Sequence, residues 1–310
     1  MLDTHQLNVF LVASETLNFT QAARLLHMSQ PSVSQHIQSL EQSFGHPLFV
    51  RHGRRIELTD AGAELVPLAR EMVRRSIQIE ETMKSLEGEI HGHLLVGCST
   101  TPGKYILPQL LARFHEQNPR VRVSCTVAAQ GDVFGMLCDG EVHVALISEP
   151  YMSNRDVETK IFMTDPMTLI TPLNHPWAIR GEIEPQELLD GEFIFREVGS
   201  GTETTVRRAL STAGVATDAL RTLLVLGSSE AIALSVQEGL GVGFVSNIVM
   251  TRLVEGRVAP VRVRGLNIER EIHIGTNIRR PATVAHRVFW QFICREIAAE
   301  SEKTVPLPSL

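Results

Sequence analysis

Apolar residues recur through the first sixty positions at helical spacing, in blocks separated by polar breaks. Leu7, Phe10, Leu11 and Ala13 give residues 2–17 one apolar side. Ala22, Ala23, Leu25 and Leu26 do the same for a short second helix, with Thr20 as its expected cap. After the turn His27-Met28-Ser29, the residues Val33, Ile37, Leu40 and Phe44 follow at intervals of four, three and four. That spacing predicts a third helix with one buried stripe. Ser29 stands in its N-cap position and Pro31 in its first turn, where a missing N–H costs nothing. Opposite the stripe lie Gln30, Ser32, Ser34, Gln35 and Gln38, a face that is polar without charge, whereas a merely solvated face would carry Lys and Glu. Amides and hydroxyls at a helix N-terminus suit base edges in a DNA major groove, where a good bidentate pair discriminates by roughly 1–3 kcal/mol. The pattern predicts a helix-turn-helix, with an ordinary helical hairpin as the alternative.

The periodicity then changes. Leu48-Phe49-Val50 and Ile56-Glu57-Leu58 read as short strands joined by Arg51-His52-Gly53-Arg54-Arg55, a wing. Apart from that cluster, residues 1–58 hold one basic residue, Arg24, against the acids Asp3, Glu15, Glu41 and Glu57. Charge concentrated at one turn points to phosphates or a minor groove. Next, Thr59-Asp60 caps a helix expected to run to about residue 87. Leu65, Ala69, Met72, Ser76, Ile79, Met83, Leu86 and Ile90 recur along it as a heptad seam. About 28 residues at 1.5 Å each make a rod of roughly 40 Å. A seam of that length with no domain around it predicts pairing with a second copy, through Leu65, Met72, Ile79, Met83 and Leu86.

From His93 onward, strands alternate with helices: residues 93–99, 106–117, 121–128, 132–138 and 142–148. That order argues for a mostly parallel sheet. A middle block follows, with strands near 167–172, 192–197, 223–228 and 241–246 and helices at 202–213, 229–237 and 248–253. Residues 271–276 read as a strand returning to the first block, closed by a helix at 282–299. The expected architecture is α + α/β: a winged helix-turn-helix over 1–58, a linker helix over 59–90, and a two-lobed α/β domain over 91–300. Lobe I would take about 91–161 and 267–300, lobe II about 162–266, leaving 301–310 as a mobile tail. Two lobes joined by two crossovers enclose a cleft, and such sheets bind ligands beyond their strand C-termini.

Composition narrows the class. A net charge of −6 requires any DNA-binding patch to be local. Four scattered cysteines, Cys98, Cys125, Cys138 and Cys294, contain no C-x-x-C pair, which points to a reducing compartment and away from zinc knuckles. No apolar run approaches a membrane span and no signal pattern opens the chain, so a cytoplasmic location is expected. Gly97 to Lys104 fails as a P-loop, because five residues separate its glycines and Tyr105 replaces the required Ser or Thr. Gly239-x-Gly241-x-Gly243 follows a helix, the wrong context for a dinucleotide fingerprint. No zincin or nucleophile-elbow motif occurs, and no histidine pair has a third ligand. Neither catalytic residues, a metal nor a cofactor is expected. Cys98 reads as a small buried residue, with a redox sensor as the alternative.

The string AARLLHMSQPSVSQHIQSLE, then LF-x-R, a basic turn, LTDAG and a long helix into an α/β half, resembles the LysR-type transcriptional regulators over essentially residues 1–300. The resemblance implies a winged helix-turn-helix, a dimerising linker and an effector domain similar to periplasmic binding proteins. It implies operator DNA, a small-molecule effector and a second copy of the chain, as homodimer or homotetramer, as partners; RNA polymerase is a further candidate. The family's DNA contacts fall on Gln30, Pro31, Ser32, Ser34 and Gln35, and on Arg51, Arg54 and Arg55. Gln35 stands where many relatives carry a basic residue. The effector would lie between the lobes, against Ser99, Thr100 and Thr101 on one side and Gly199, Ser200, Gly201 and Thr202 on the other. Ser148 and residues 244–246 would complete the wall. Hydroxyls beside helix N-termini make an anion cradle. The segments GCSTTPG and REVGSGT look like those of carbon-fixation and sulfur-assimilation regulators, which implies a phosphorylated metabolite, a carboxylate or a sulfur oxyanion. The alternative is a solute-binding module or enzyme whose N-terminal helices serve only for assembly.

Overall fold

The computed structural model describes residues 2–52, 55–86, 90–148 and 154–303. The chain divides into two units, Met1–Glu89 and Ile90–Leu310.

In the first unit, α1 (Thr4–Thr16), α2 (Phe19–Leu25) and α3 (Gln30–Phe44) are followed by β1 (Phe49–His52), β2 (Arg55–Leu58) and α4 (Asp60–Ser85). Asn18, not Thr20, caps α2: its side-chain oxygen accepts from the N–H groups of Thr20 and Gln21 at 3.0 and 3.1 Å. Leu25 is 61% exposed, because it lies about 200° round the helix from buried Ala23. Ser29 caps α3, accepting from Ser32 N at 3.3 Å. Val33, Ile37 and Leu40 of the predicted stripe are buried, and they meet Leu7, Phe10, Ala22, Leu48 and Ala69 in one core. β1 and β2 pair antiparallel and take in Arg51 and Arg55, which the sequence placed in the turn.

Two local devices seat α3 and α4 against the wing. The Glu41 carboxylate, on α3, accepts from the N–H groups of Leu48 and Phe49 at 2.8 and 3.3 Å. Thr59 caps α4 and donates its hydroxyl to Pro47 O at 2.7 Å. A Cβ at Gly62 would fall 2.2 Å from Leu48 O, so only glycine lets α4 approach there. The first half of α4 packs on the core through Leu65, Val66, Ala69 and Val73. On another face Met72, and farther along Ile79, Met83 and Leu86, are 43%, 64%, 60% and 73% exposed.

The second unit contains β3 (Gly92–Cys98), α5 (Leu107–Gln117), β4 (Val121–Val127), α6 (Gln130–Asp139), β5 (Val144–Ser148) and β6 (Val157–Thr171). Then come α7 (Pro176–Arg180), β7 (Glu182–Ile183), β8 (Glu192–Arg196), α8 (Gly201–Thr212), β9 (Arg221–Leu226), α9 (Ser229–Gln237), β10 (Gly243–Ser246) and α10 (Asn247–Val249). It closes with β11 (Ala259–Val263), β12 (Glu269–Asn277) and α11 (Val284–Lys303). Single π turns precede α5 and follow α10.

The sheet is mixed rather than mostly parallel. β4, β3 and β5 run parallel, but β12 is antiparallel to both its neighbours, β5 and β6, in the order β4-β3-β5-β12-β6-β11-β7. The reason is mechanical: β6 carries the chain into lobe II and β12 returns it. β6 has 15 residues, of which the first part pairs with β12 and the last part with β10 and β11. Its first half, with Lys160, Thr164, Asp165 and Pro166, lacks a simple apolar alternation, and it escaped the sequence reading along with β7 and β11. Phe162 belongs to the core of lobe I, with Phe114, Phe289 and Phe292, whereas Ile268 belongs to that of lobe II. Ile90, the last position of the expected seam, packs against lobe I instead of continuing α4. Residues 301–303, expected in the mobile tail, end α11; residues 304–310 lie outside the described ones.

Candidate functional site

Lobes I and II enclose a cavity of about 230 Å³. β3 delivers Ser99, Thr100 and Thr101 to it, β4 delivers Ala128 to Gln130, and β5 ends in Ser148. The opposite wall is Arg196 and Glu197 at the end of β8, residues 198–200, and Gly201 and Thr202 at the start of α8; Arg270 of β12 lies between the walls. All eight predicted effector positions therefore line one cavity. The walls approach closely at Gly201, where a Cβ would sit 2.8 Å from that of Ser148 and 3.0 Å from Gln130 Oε1.

The donors in this cavity differ in how far the chain itself occupies them. Ser200 caps α8, accepting from Glu203 N at 3.1 Å, and Thr202 Oγ1 accepts from Arg270 at 3.0 Å. Arg196 donates to Glu197 at 2.6 and 2.7 Å and to Ser229 at 3.2 Å. That guanidinium holds the Glu197 carboxyl below its ordinary pKa, so it stays ionised. Arg270 pairs with fully buried Asp165, whose other oxygen accepts from Ser246 at 2.8 Å. Phe244 and Ser246, expected in the wall, instead serve the lobe II core and this ion pair.

Other donors have no partner in the chain. Gln130 is 5% exposed, yet neither its amide nitrogen nor its oxygen makes a hydrogen bond. Ser99 Oγ and Arg270 Nε are likewise buried and unpartnered. One helical start on the cavity wall, that of α6 at Ala129, has no capping side chain. Its first N–H groups and helix dipole favour a negative charge. An orphaned buried polar group costs about 1–3 kcal/mol, which an anion with several acceptor oxygens would relieve. Sequence reasoning missed Gln130, Arg270 and Asp165. Arg270 was readable in principle, since it shares the alternation of buried Ile268, Ile272 and Ile274. Among the described residues, no group of three or more His, Cys, Asp and Glu could hold a metal ion.

The second surface is α3. Gln30, Pro31, Gln35 and Gln38 are exposed and Ser32 and Ser34 half-buried. His36 does not project freely: its ring meets that of His5 edge-on at 5.2 Å. Arg55 is exposed at the start of β2; Arg54 and the Arg51 side chain lie outside the described residues. Among the described residues no helix is long and apolar enough to cross a membrane.

Comparison with known proteins matches both units. Residues 4–63 match the bacterial regulatory helix-turn-helix protein, lysR family, and residues 87–298 match the LysR substrate binding domain. The chain is 30% identical over 294 residues to a RuBisCO operon transcriptional regulator of Allochromatium vinosum, covering 94% of this chain and 96% of that one. The regulatory domain of Synechocystis CcmR in complex with 2-PG aligns with a TM-score of 0.61 and 26% identity, covering 70% of this chain and all of that domain. Full-length CbnR in complex with its target DNA aligns with a TM-score of 0.68 at 22% identity, covering 95% of this chain and 100% of that one.

Proposed function

The chain belongs to the LysR family of DNA-binding transcriptional regulators, and on that premise we propose that its effector is a small, multiply charged oxyanion seated between the lobes. The observation that carries this reading is Gln130, both of whose polar atoms are buried on the cavity wall without a partner. Support comes from the uncapped start of α6 beside it and from the spare donor of Arg270. A cavity of about 230 Å³ lies below the range usual for drug-sized ligands, which favours a few-carbon acid over a nucleotide. The relatives named for RuBisCO operons, and the 2-PG held by CcmR, agree with a phosphorylated carboxylate as the class.

In this reading Gln30, Pro31, Ser32, Ser34 and Gln35 meet the operator's major groove, while Arg51, Arg54 and Arg55 neutralise phosphates. Two copies pair through Met72, Ile79, Met83 and Leu86, whose exposure on a single chain leaves an apolar stripe unburied. Leu65, half-buried in the core of its own unit, contributes less to that pairing. The protein acts in the cytoplasm by binding alone.

Calorimetric titration of the full-length protein with 2-PG and with inorganic phosphate tests the reading. The expected result is one 2-PG per chain, with phosphate binding at the same site more weakly. Absence of heat with both anions overturns it.

A further inference from the structure

Cys98 and Cys125 occupy neighbouring parallel strands, with their sulfurs 3.1 Å apart. In the register of β3 and β4, Cys125 lies opposite Val96 and Val127 opposite Cys98, so the two cysteines are diagonal neighbours on one sheet face. Cys98 is fully buried and Cys125 is exposed. Gly103 keeps the buried sulfur's space open, since a Cβ there would stand 2.6 Å from it. A disulfide requires the sulfurs to close by about 1 Å, to roughly 2.05 Å. Both strands run on into the lining of the effector cavity: Ser99 follows Cys98 directly, and Ala128 lies three residues beyond Cys125.

We propose that Cys125 and Cys98 form an oxidisable dithiol, whose disulfide stiffens the floor of the effector cavity. The inference goes beyond the anion reading and does not depend on it. Cys125, the exposed residue of the pair, is the one that reacts. The hydrogen bond from Cys98 lowers the pKa of Cys125, while the same bond, and then burial, raises that of Cys98. The Cys125 thiolate attacks one oxygen of a hydroperoxide and breaks the O–O bond. Cys125 becomes a sulfenic acid, and the second oxygen leaves as water or an alcohol. The Cys98 sulfur then attacks the sulfenic sulfur; the S–O bond breaks, and the hydroxyl departs with the Cys98 proton as water. Two electrons pass from the thiols to the peroxide. In a reducing compartment the bond is short-lived, which suits a signal rather than a staple.

The test uses full-length protein, fully reduced and then given equimolar hydrogen peroxide. The wild type should lose the mass of two hydrogens, and peptide mapping should join Cys98 to Cys125 within one chain. Cys98→Ala should accumulate a Cys125 sulfenic acid that a dimedone probe captures, whereas Cys138→Ser and Cys294→Ser should behave as wild type. Amide exchange over residues 99–103 and 128–130 should slow about threefold or more in the oxidised protein. Oxidation mapped to Cys138 or Cys294, a bond between chains through Cys125, or unchanged exchange in those segments overturns the proposal. The wild-type map decides the site even if the variant does not fold.

Discussion

The polar face of α3 and the cavity between the lobes use the same groups, amides and hydroxyls, under opposite conditions. On α3, Gln30, Ser32, Ser34 and Gln35 come from six consecutive residues and remain in contact with water. Water satisfies them until a partner arrives, so they place no demand on folding. In the cavity, Gln130, Ser148 and Thr202 come from three distant segments and are 5%, 2% and 3% exposed. There a polar group either has a partner within the chain or waits for one at a cost. The first surface should tolerate substitution with loss of selectivity alone. In the second, the outcome depends on whether the residue is already paired.

The sharpest contrast is Arg270→Ala. It strands the buried Asp165 carboxylate and should destabilise the second unit by about 3–5 kcal/mol in chemical denaturation. A change similar to that of an α3 variant would mean the ion pair does not hold the crossovers. Next in size is a pH effect. Burial, with a smaller contribution from Arg287, lowers the pKa of His286 from 6.5 to about 4. The folded state therefore keeps this ring neutral while the unfolded chain protonates it. Stability should be complete above pH 6.5 and fall by about 3 kcal/mol toward pH 4, a loss that His286→Gln largely removes from the denaturation profile.

Gln130→Ala separates binding from folding inside the cavity. Removing an unpartnered amide should leave stability within about 1 kcal/mol of wild type or raise it, while 2-PG affinity falls roughly tenfold or more. A loss of stability with unchanged affinity would show that the side chain is structural. The smallest effects belong to the DNA side. Gln30→Ala should lower discrimination at one base pair by about 1–3 kcal/mol, leaving stability within about 0.5 kcal/mol. Arg55→Ala should weaken binding to all sequences and flatten the salt dependence by about one unit in gel-shift titrations.

How legible each surface was follows from how it is built. The α3 face is local, so the intervals Val33, Ile37, Leu40 and the cap Ser29 displayed it in the sequence. The hydroxyl run Ser99 to Thr101 and the glycine-flanked Gly199 to Thr202 were also readable, because each is a single turn after a strand. Gln130 and Arg270 were not singled out, since their place in the cavity depends on how β3, β4 and β12 are registered across the sheet. The polar half of β6 concealed the strand that makes the first of the two expected crossovers, and Asp165 with it. Glu41 stood in the sequence only as one of four acids; its role in accepting from Leu48 and Phe49 exists only once α3 and the wing have met.

The central claim, that an anion between the lobes changes how the first unit meets DNA, is tested most directly by footprinting the full-length protein on a selected operator with and without 2-PG. The wild type should shift its protected boundary when 2-PG is added, while Thr100→Ala binds the same operator with the same boundary in both conditions. Identical wild-type footprints at saturating 2-PG would contradict the account.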